Sequence, residues 1–216
     1  MNYTSSIPEE NDDDNSFRSI YSSCKPQSNL RDIFRNSFIL NSLSEEEVKD
    51  ISKNYAIEES FKSGSIIYNS GEKMNCFYIL KKGTIEFMGK KSKDDEPLLY
   101  GPIEPNEVFS ISSFLKGHVS SLSAIASSDV TVIKLTKLNE HLLNLLSLRL
   151  YEIEKVVDFS KALKEKDDFQ REISIDKARL VHVEKNSSIP EFPYSIYVIY
   201  SGAVSKISGL PFISLR

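Results

Sequence analysis

The sequence has few of the residues and motifs that metal sites, disulfide frameworks and active sites require. Its 216 residues include only two cysteines, Cys24 and Cys76, and three histidines. None of these residues has a partner at the spacing of a metal site or a disulfide framework, so we expect no metal and two reduced thiols. Nucleophile elbows, phosphate-binding loops and kinase lysine motifs are also missing. The sequence therefore predicts a protein that is not an enzyme.

Long apolar runs and a strong net charge are missing as well. No apolar run is long enough to cross a bilayer, and residues 1–16 lack the basic start and apolar core of a secretory signal. The net charge of −4 gives no electrostatic reason to expect a nucleic acid or an anionic membrane as partner. We expect a cytoplasmic protein that contacts neither.

Residues 1–29 are rich in Ser, Asn, Asp and Glu and poor in periodic apolar residues, which predicts a disordered arm. Within this arm, Arg18 precedes Ser19 and the apolar Ile20 follows it, a pattern that basophilic protein kinases read. Two interpretations stay open for this segment: a solvated linker, or a kinase substrate or inhibitor segment.

Short apolar runs punctuated by glycines fill residues 61–87. Each run is too short for a typical helix and is rich in Ile, Tyr and Phe, which predicts consecutive strands. Gly64, Gly71 and Gly83 separate the runs, and glycine supplies the positive φ that tight turns need. The segment predicts the start of a small β-barrel or β-roll.

Helical patterns flank this β segment. Apolar spacing over residues 30–40 predicts a short helix, and Ser44 with Glu47 predicts a capping box that opens a helix over residues 45–54. Thr136 is the predicted N-cap of one long helix, or of two abutting helices, extending to about residue 164. Between the flanking helices we expect further strands at 97–103, 122–126 and 130–135, and a helical turn at 109–115 ended by Gly117.

The pattern restarts after residue 167. Residues 178–183 alternate like a strand, and residues 195–207 echo residues 76–88, which indicates an internal repeat. We therefore expect a complete domain over residues 30–166 and the start of a second, truncated domain over residues 167–216. A truncated gene product is one explanation that stays open.

This arrangement resembles the cyclic-nucleotide-binding domain family, and in particular the tandem domains of the cAMP-dependent protein kinase regulatory subunit and of cGMP-dependent protein kinase. The resemblance implies an α+β fold, a β-roll flanked by helices. Tyr68 departs from the family pattern, which prefers an aliphatic residue there, and Met74 departs from its preference for a small one. The matching residues are Gly64, Gly71, Phe77-Tyr78-Ile79-Leu80, Gly83, Glu107-Val108-Phe109 and Gly117.

In this family the ligand lies in a phosphate-binding cassette that resembles F-G-E-x-x-x-L-x-x-x-x-R-x-A. Backbone N–H groups of a short helix cradle the cyclic phosphate, an Arg opposes its charge and a carboxylate accepts from the ribose. Aligned on Phe109 and Gly117, this sequence has Ser110 for the Gly, Ile111 for the Glu and Ser120 for the Arg. Both charged groups are therefore missing.

The resemblance still places a candidate ligand site here. The candidate residues are Ser110, Ile111, Ser112, Ser113, Lys116, Ser120, Ser121 and Ser123. Lys116 and His118 are the candidate substitute cations, while Tyr151 and Phe159 are either base-capping residues or core residues. We expect no resident cofactor and at most weak binding of cAMP or cGMP.

Two functions remain open from the sequence. The first is a regulatory protein that resembles a kinase regulatory subunit, with a protein partner such as a protein kinase catalytic domain. The alternative is a constitutive protein–protein interaction module that binds no nucleotide and uses the long helix after Thr136 as its docking surface.

Overall fold

The computed structural model describes residues 30–90, 96–160, 166–179 and 181–189. Its helices are α1 (Leu30–Asn36), α2 (Glu45–Asn54), α3 (Ile111–Lys116), α4 (Glu140–Phe159) and α5 (Asp168–Asp176), with a 3-10 turn at Leu40–Ser42. Its strands are β1 (Ala56–Phe61), β2 (Ile66–Tyr68), β3 (Cys76–Lys82), β4 (Ile85–Gly89), β5 (Leu98–Ile103), β6 (Val108–Phe109), β7 (Ser123–Ala126) and β8 (Val130–Thr136). No helix in these ranges is long and apolar enough to cross a membrane.

The strands form two antiparallel sheets of four strands each. One has the order β1-β8-β3-β6 and the other the order β2-β7-β4-β5. Helices cover one side of the first sheet, so the architecture is the predicted α+β roll with flanking helices. The strands predicted between residues 61 and 135 and the helical turn before Gly117 are present.

Strand β3 lies at the centre of the packing because both of its faces are covered. Phe77 and Ile79 belong to the apolar cluster shared with the helices, whereas Tyr78 and Leu80 belong to the cluster inside the roll. Successive side chains of a strand point to opposite faces, so a strand between two cores carries an unbroken apolar run. This explains why residues 76–80 are buried without alternation.

The glycine turns have the backbone that the sequence predicts. Gly64, Gly71 and Gly83 have φ values of +82°, +86° and +89°. These values fall in the region that disfavours side chains, because a Cβ would contact the backbone. The spacing of glycines thus correctly marks three corners of the roll.

Helix boundaries are confirmed at one end of the domain and corrected at the other. Ser44 and Glu47 form the predicted capping box of α2. The N-cap of α4 is Asn139, whose side chain accepts from the backbone N–H of Leu142, and not the predicted Thr136. Thr136 is instead the last residue of β8, where it pairs with Cys76.

The region after residue 166 differs from the sequence prediction. Helix α5 was not predicted, and it packs against the first roll although it lies beyond residue 166. The described part of residues 178–183 contains no strand, only an isolated bridge from Arg179 to Ser37. The predicted disordered arm and the repeat at 195–207 lie outside the described residues.

Candidate functional site

The segment that aligns with the cassette is a sharp turn followed by a short helix. Ser110 follows β6 in the left-handed conformation, with φ of +64°, and α3 begins at the next residue. Gly117 ends α3 with the same φ, as the sequence predicts for a C-cap glycine. Ile111 is fully buried in the cluster shared with the helices. Its side chain therefore belongs to the core and is not available to a ligand.

Aromatic side chains fill the interior of the roll behind this turn. The Tyr68 hydroxyl lies 2.5 Å from the Ser110 Oγ, and both groups are buried. The Tyr68 ring stacks on Tyr78, which stacks on Phe109 at a centroid distance of 5.1 Å. Burial raises the pKa of the Tyr68 hydroxyl, which keeps this group neutral. Tyr68, which departs from the family pattern, is thus hydrogen-bonded to Ser110, the residue that stands in place of the family's glycine.

Two of the predicted site serines stabilise loops. The Ser120 Oγ donates to the carbonyl oxygen of Leu122 at 2.7 Å and accepts from the Leu122 N–H at 3.2 Å. The Ser123 Oγ accepts from the backbone N–H of Ser70 at 2.9 Å. Buried hydroxyls that already have such partners lose hydrogen bonds if they turn to a ligand.

Two carboxyl groups of α5 accept hydrogen bonds from three further donors of the site. The Ser112 N–H donates to the Asp176 Oδ1 at 2.9 Å. The Ser113 Oγ donates to the Glu172 carboxylate, and the Ser121 Oγ donates to its second oxygen at 3.1 Å. The donor side of the cassette therefore faces acidic side chains of the same chain.

Glu172 and Asp176 were not among the predicted site residues. They lie four residues apart and so share one face of a helix. That spacing, together with an N-cap at Asp167 that accepts from the Gln170 N–H, was the available sequence signal. It indicates an acidic helix but does not identify the surface that the helix contacts.

Asp176 is the buried member of this acidic pair, with a relative exposure of 6%. Burial and the neighbouring charge of Glu172 raise the pKa of its carboxyl to about 7, whereas hydrogen bonds from Ser112 act in the opposite direction. The carboxyl accepts from the Ser112 N–H with one oxygen whether or not the other carries a proton.

The candidate cations and base-capping residues lie in different surroundings. Lys116 forms an ion pair with Glu154 on α4, at 2.5 Å, and His118 is exposed. Tyr151 is 56% exposed with Lys155 above its ring, and the side chain of Phe159 lies outside the described residues. The described residues also contain no group of three or more side chains that could hold a metal ion.

Replacing Tyr68 with phenylalanine should destabilise the roll by about 1 kcal/mol, since the buried Ser110 hydroxyl loses its partner while the ring stack stays in place. Urea unfolding of the two proteins measures this difference. A matched control is Tyr151→Phe, because that hydroxyl is on an exposed side chain. Equal losses in the two variants would contradict the assigned contact.

Three solved structures share this architecture. They are cAMP-bound PfPKA-R (TM-score 0.56, 18% identity, covering 68% of this chain and 52% of that one), the regulatory domain of Toxoplasma gondii PKA with cAMP (0.50, 19%, 68% and 56%), and a cAMP-bound mutant regulatory subunit of a cAMP-independent protein kinase A from Trypanosoma brucei (0.50, 18%, 62% and 47%). The chain thus spans about half the length of these proteins. The comparison with curated proteins found no match.

A sequence model of a protein family matches the strands, turns and short helix described above. The match covers residues 58–147, from β1 into α4, and the family is described as the cyclic nucleotide-binding domain. The glycine corners, the α3 segment after β6 and the closing α4 all lie within or next to this match. The roll over residues 58–147 of this chain therefore matches the cyclic nucleotide-binding domain family.

Proposed function

We propose that this chain is a non-catalytic regulatory protein of the kinase regulatory-subunit type, and that its roll works without bound cAMP or cGMP. The proposal rests on the charge of the cassette. A cyclic phosphate is an anion and needs donors and a positive charge. Here the nearest charged groups bonded to the cassette donors are the carboxyls of Glu172 and Asp176.

The three positions where the family pattern has a specific ligand contact support the same conclusion. Ile111 is a core residue and has no carboxylate for a ribose, while Ser110 and Ser120 are already hydrogen-bonded within the protein. A contact between a charged group and phosphate contributes roughly 1.5–3 kcal/mol, so each missing contact costs about tenfold or more in affinity. Two missing contacts move binding of a typical ligand far toward the millimolar range.

The names of the related structures support the choice of partner. All three are regulatory parts of protein kinase A, and the Trypanosoma brucei kinase is described as cAMP-independent. We therefore propose a protein kinase catalytic domain as partner, and a role in signal transduction in the cytoplasm. The proposal concerns the piece of those proteins that this chain spans.

A second candidate function is a constitutive docking module that is not a kinase regulator. The observation in its favour is the outer face of α4, where Leu148 and Tyr151 are 64% and 56% exposed. Large apolar side chains exposed next to each other on a helix are typical of protein contacts. Cross-linking of the chain to a purified kinase catalytic subunit, with and without Leu148→Lys, separates the two candidates.

Isothermal titration of the full chain with cAMP and with cGMP tests the nucleotide-independent function. We expect no saturable heat for either nucleotide up to millimolar concentrations, because an added phosphate meets two carboxyls and no free cation of the described cassette. Saturable binding in the micromolar range overturns the proposal. The control is the Glu172→Gln variant, in which a gain of weak binding identifies the acidic face as the cause.

A further inference from the structure

Helix α5 is bound to the cassette by donors of one small surface. We call this surface the serine seat; it consists of Ser112, Ser113 and Ser121. All three residues donate to the carboxyl groups of α5, one through a backbone N–H and two through hydroxyls. Ser112 and Ser113 are buried and Ser121 is partly buried, so water does not compete freely for these donors.

Apolar residues of α5 hold the same helix against both cores. Phe169 packs edge-on against Tyr100, with ring centroids 5.5 Å apart, and Ile173 packs on the cluster inside the roll. Ile175 belongs to the cluster shared with the other helices. The contact therefore combines directional hydrogen bonds with apolar burial, as helix-in-groove recognition does.

The side chains on one face of α5 indicate which kind of helix fits the serine seat. One side of α5 presents Phe169, Glu172 and Asp176. The first acid follows the aromatic residue by three positions, and the second acid follows the first by four, so all three share one helix face. Gly89 lies beside this helix: a Cβ at that position would lie 2.4 Å from Leu122 Cδ2 and 3.3 Å from the Phe169 ring. A helix without the two acids leaves the donors of the serine seat unpaired, which is costly.

We propose that the serine seat is a receptor for an acidic amphipathic helix and that α5 is its intramolecular ligand, so the contact is autoinhibitory toward partners that carry such a helix. The inference rests on the proposed function, since a cassette that held a cyclic phosphate would need the donors that α5 takes. A helix of nine residues is not stable by itself in water, so its release is coupled to unfolding of α5.

Residue-resolved hydrogen exchange of the full chain tests this inference. In a Glu172→Ala/Asp176→Ala variant we expect the Ser112 amide to exchange at least tenfold faster, because its acceptor is gone. Ser174→Ala is the matched control, since the Ser174 Oγ bonds only to the Gln170 carbonyl of the same helix in the contacts described. The Ile133 amide, in the middle of β8, reports whether the roll stays folded.

Addition of a peptide with the sequence of residues 167–177 provides the second arm. At millimolar concentration it should restore slow exchange at Ser112 in the double variant, and a peptide with both acids replaced by alanine should not. The inference is overturned if Ser112 exchange is unchanged in a folded double variant, or if both peptides protect equally. If the double variant unfolds, Glu172→Ala alone decides: acceleration at Ser112 without acceleration at Ile133 supports the inference, and equal acceleration contradicts it.

Failure of this inference is distinguishable from failure of the proposed function. Saturable binding of cAMP to the wild-type chain, measured while Ser112 exchange stays slow, contradicts the nucleotide-independent function and leaves the serine seat intact. Rapid Ser112 exchange in the wild-type chain without nucleotide binding contradicts only the serine seat.

Discussion

Replacing Gly83 with alanine should destabilise the roll by about 2–5 kcal/mol, which is a large part of the stability of a domain this size. Two costs add. With φ of +89°, a residue with a side chain is strained by roughly 1–2 kcal/mol. The new Cβ would also lie 2.4 Å from the Asp129 carbonyl oxygen and 2.7 Å from a Val130 methyl group. Because the first neighbour is backbone, it cannot rotate away.

Gly64→Ala is the matched control for this prediction. Gly64 has nearly the same φ, +82°, but apart from its two chain neighbours no residue would have an atom within 4 Å of a Cβ there. It should therefore lose only the backbone term, about 1–2 kcal/mol. Urea unfolding of the wild type and the two variants gives the loss in free energy of unfolding for each substitution. If Gly83→Ala loses no more than Gly64→Ala, then Gly83 does not lie as close to residues 128–130 as described.

The comparison of these glycines illustrates which parts of the fold are readable from sequence. Tight turns and helix starts depend on local chemistry, so the corners at Gly64, Gly71 and Gly83 and the capping box at Ser44 are predictable from neighbouring residues. That Gly83 is more constrained than Gly64 depends on contacts with residues 128–130, which are far along the chain. Sequence spacing contains no information on such a contact.

The start of the closing helix shows how pairing overrides a local signal. Thr136 and Asn139 are both residue types that cap helices. The backbone of Thr136 is paired with Cys76 in the sheet, so the extended conformation continues through it and Asn139 becomes the cap. The energy of the sheet, and not the preference of one residue, decides the boundary.

That the candidate residues lie in one region could be predicted from the sequence, but their interactions could not. Alignment on Phe109 and Gly117 brings the predicted serines to one region, and the structure places them in one turn, one short helix and the loop after it. Ser110 bonds to Tyr68, and Ser112, Ser113 and Ser121 bond to α5, which lies far downstream in the sequence. The acids of α5 resemble ordinary solvated charges in the sequence because burial is a property of the tertiary structure.

Unfolding measurements against pH should show that the wild-type chain loses stability as the pH rises from about 4 to about 7. In the folded protein the pKa of Asp176 is raised from 3.8 to about 7. Between these two values the folded state binds more protons than the unfolded state, so the free energy of unfolding falls with rising pH. Each pKa unit is about 1.4 kcal/mol, so the full effect is on the order of 4 kcal/mol and is complete above the folded pKa.

Asp176 has several charged and titratable neighbours. Glu172 on the same helix raises the Asp176 pKa, and Glu107 beside β6 is paired with two cations. The pKa values of Glu47 and Asp129 are lowered from their ordinary values of 4.5 and 3.8. These two carboxylates therefore favour the folded state increasingly only as the pH rises toward those ordinary values. The neighbouring groups are Glu172, Tyr68, Glu107, Lys177 and Arg179.

The Asp176→Asn variant isolates the effect of this one group. Its amide oxygen still accepts from the Ser112 N–H, while the amide carries no charge at any pH. Urea unfolding of both proteins at pH 4, 5, 6, 7 and 8 should therefore give similar stabilities at pH 4 and a variant that is more stable than the wild type by a few kcal/mol at pH 8. The prediction is contradicted if the variant is less stable than the wild type at pH 8, or if the difference in stability does not change with pH. Either result would mean that ionisation of Asp176 beside Ser112 does not destabilise the folded protein. In that case its contact with Ser112 would be an ordinary charged hydrogen bond, and the raised pKa would have no part in the stability of α5.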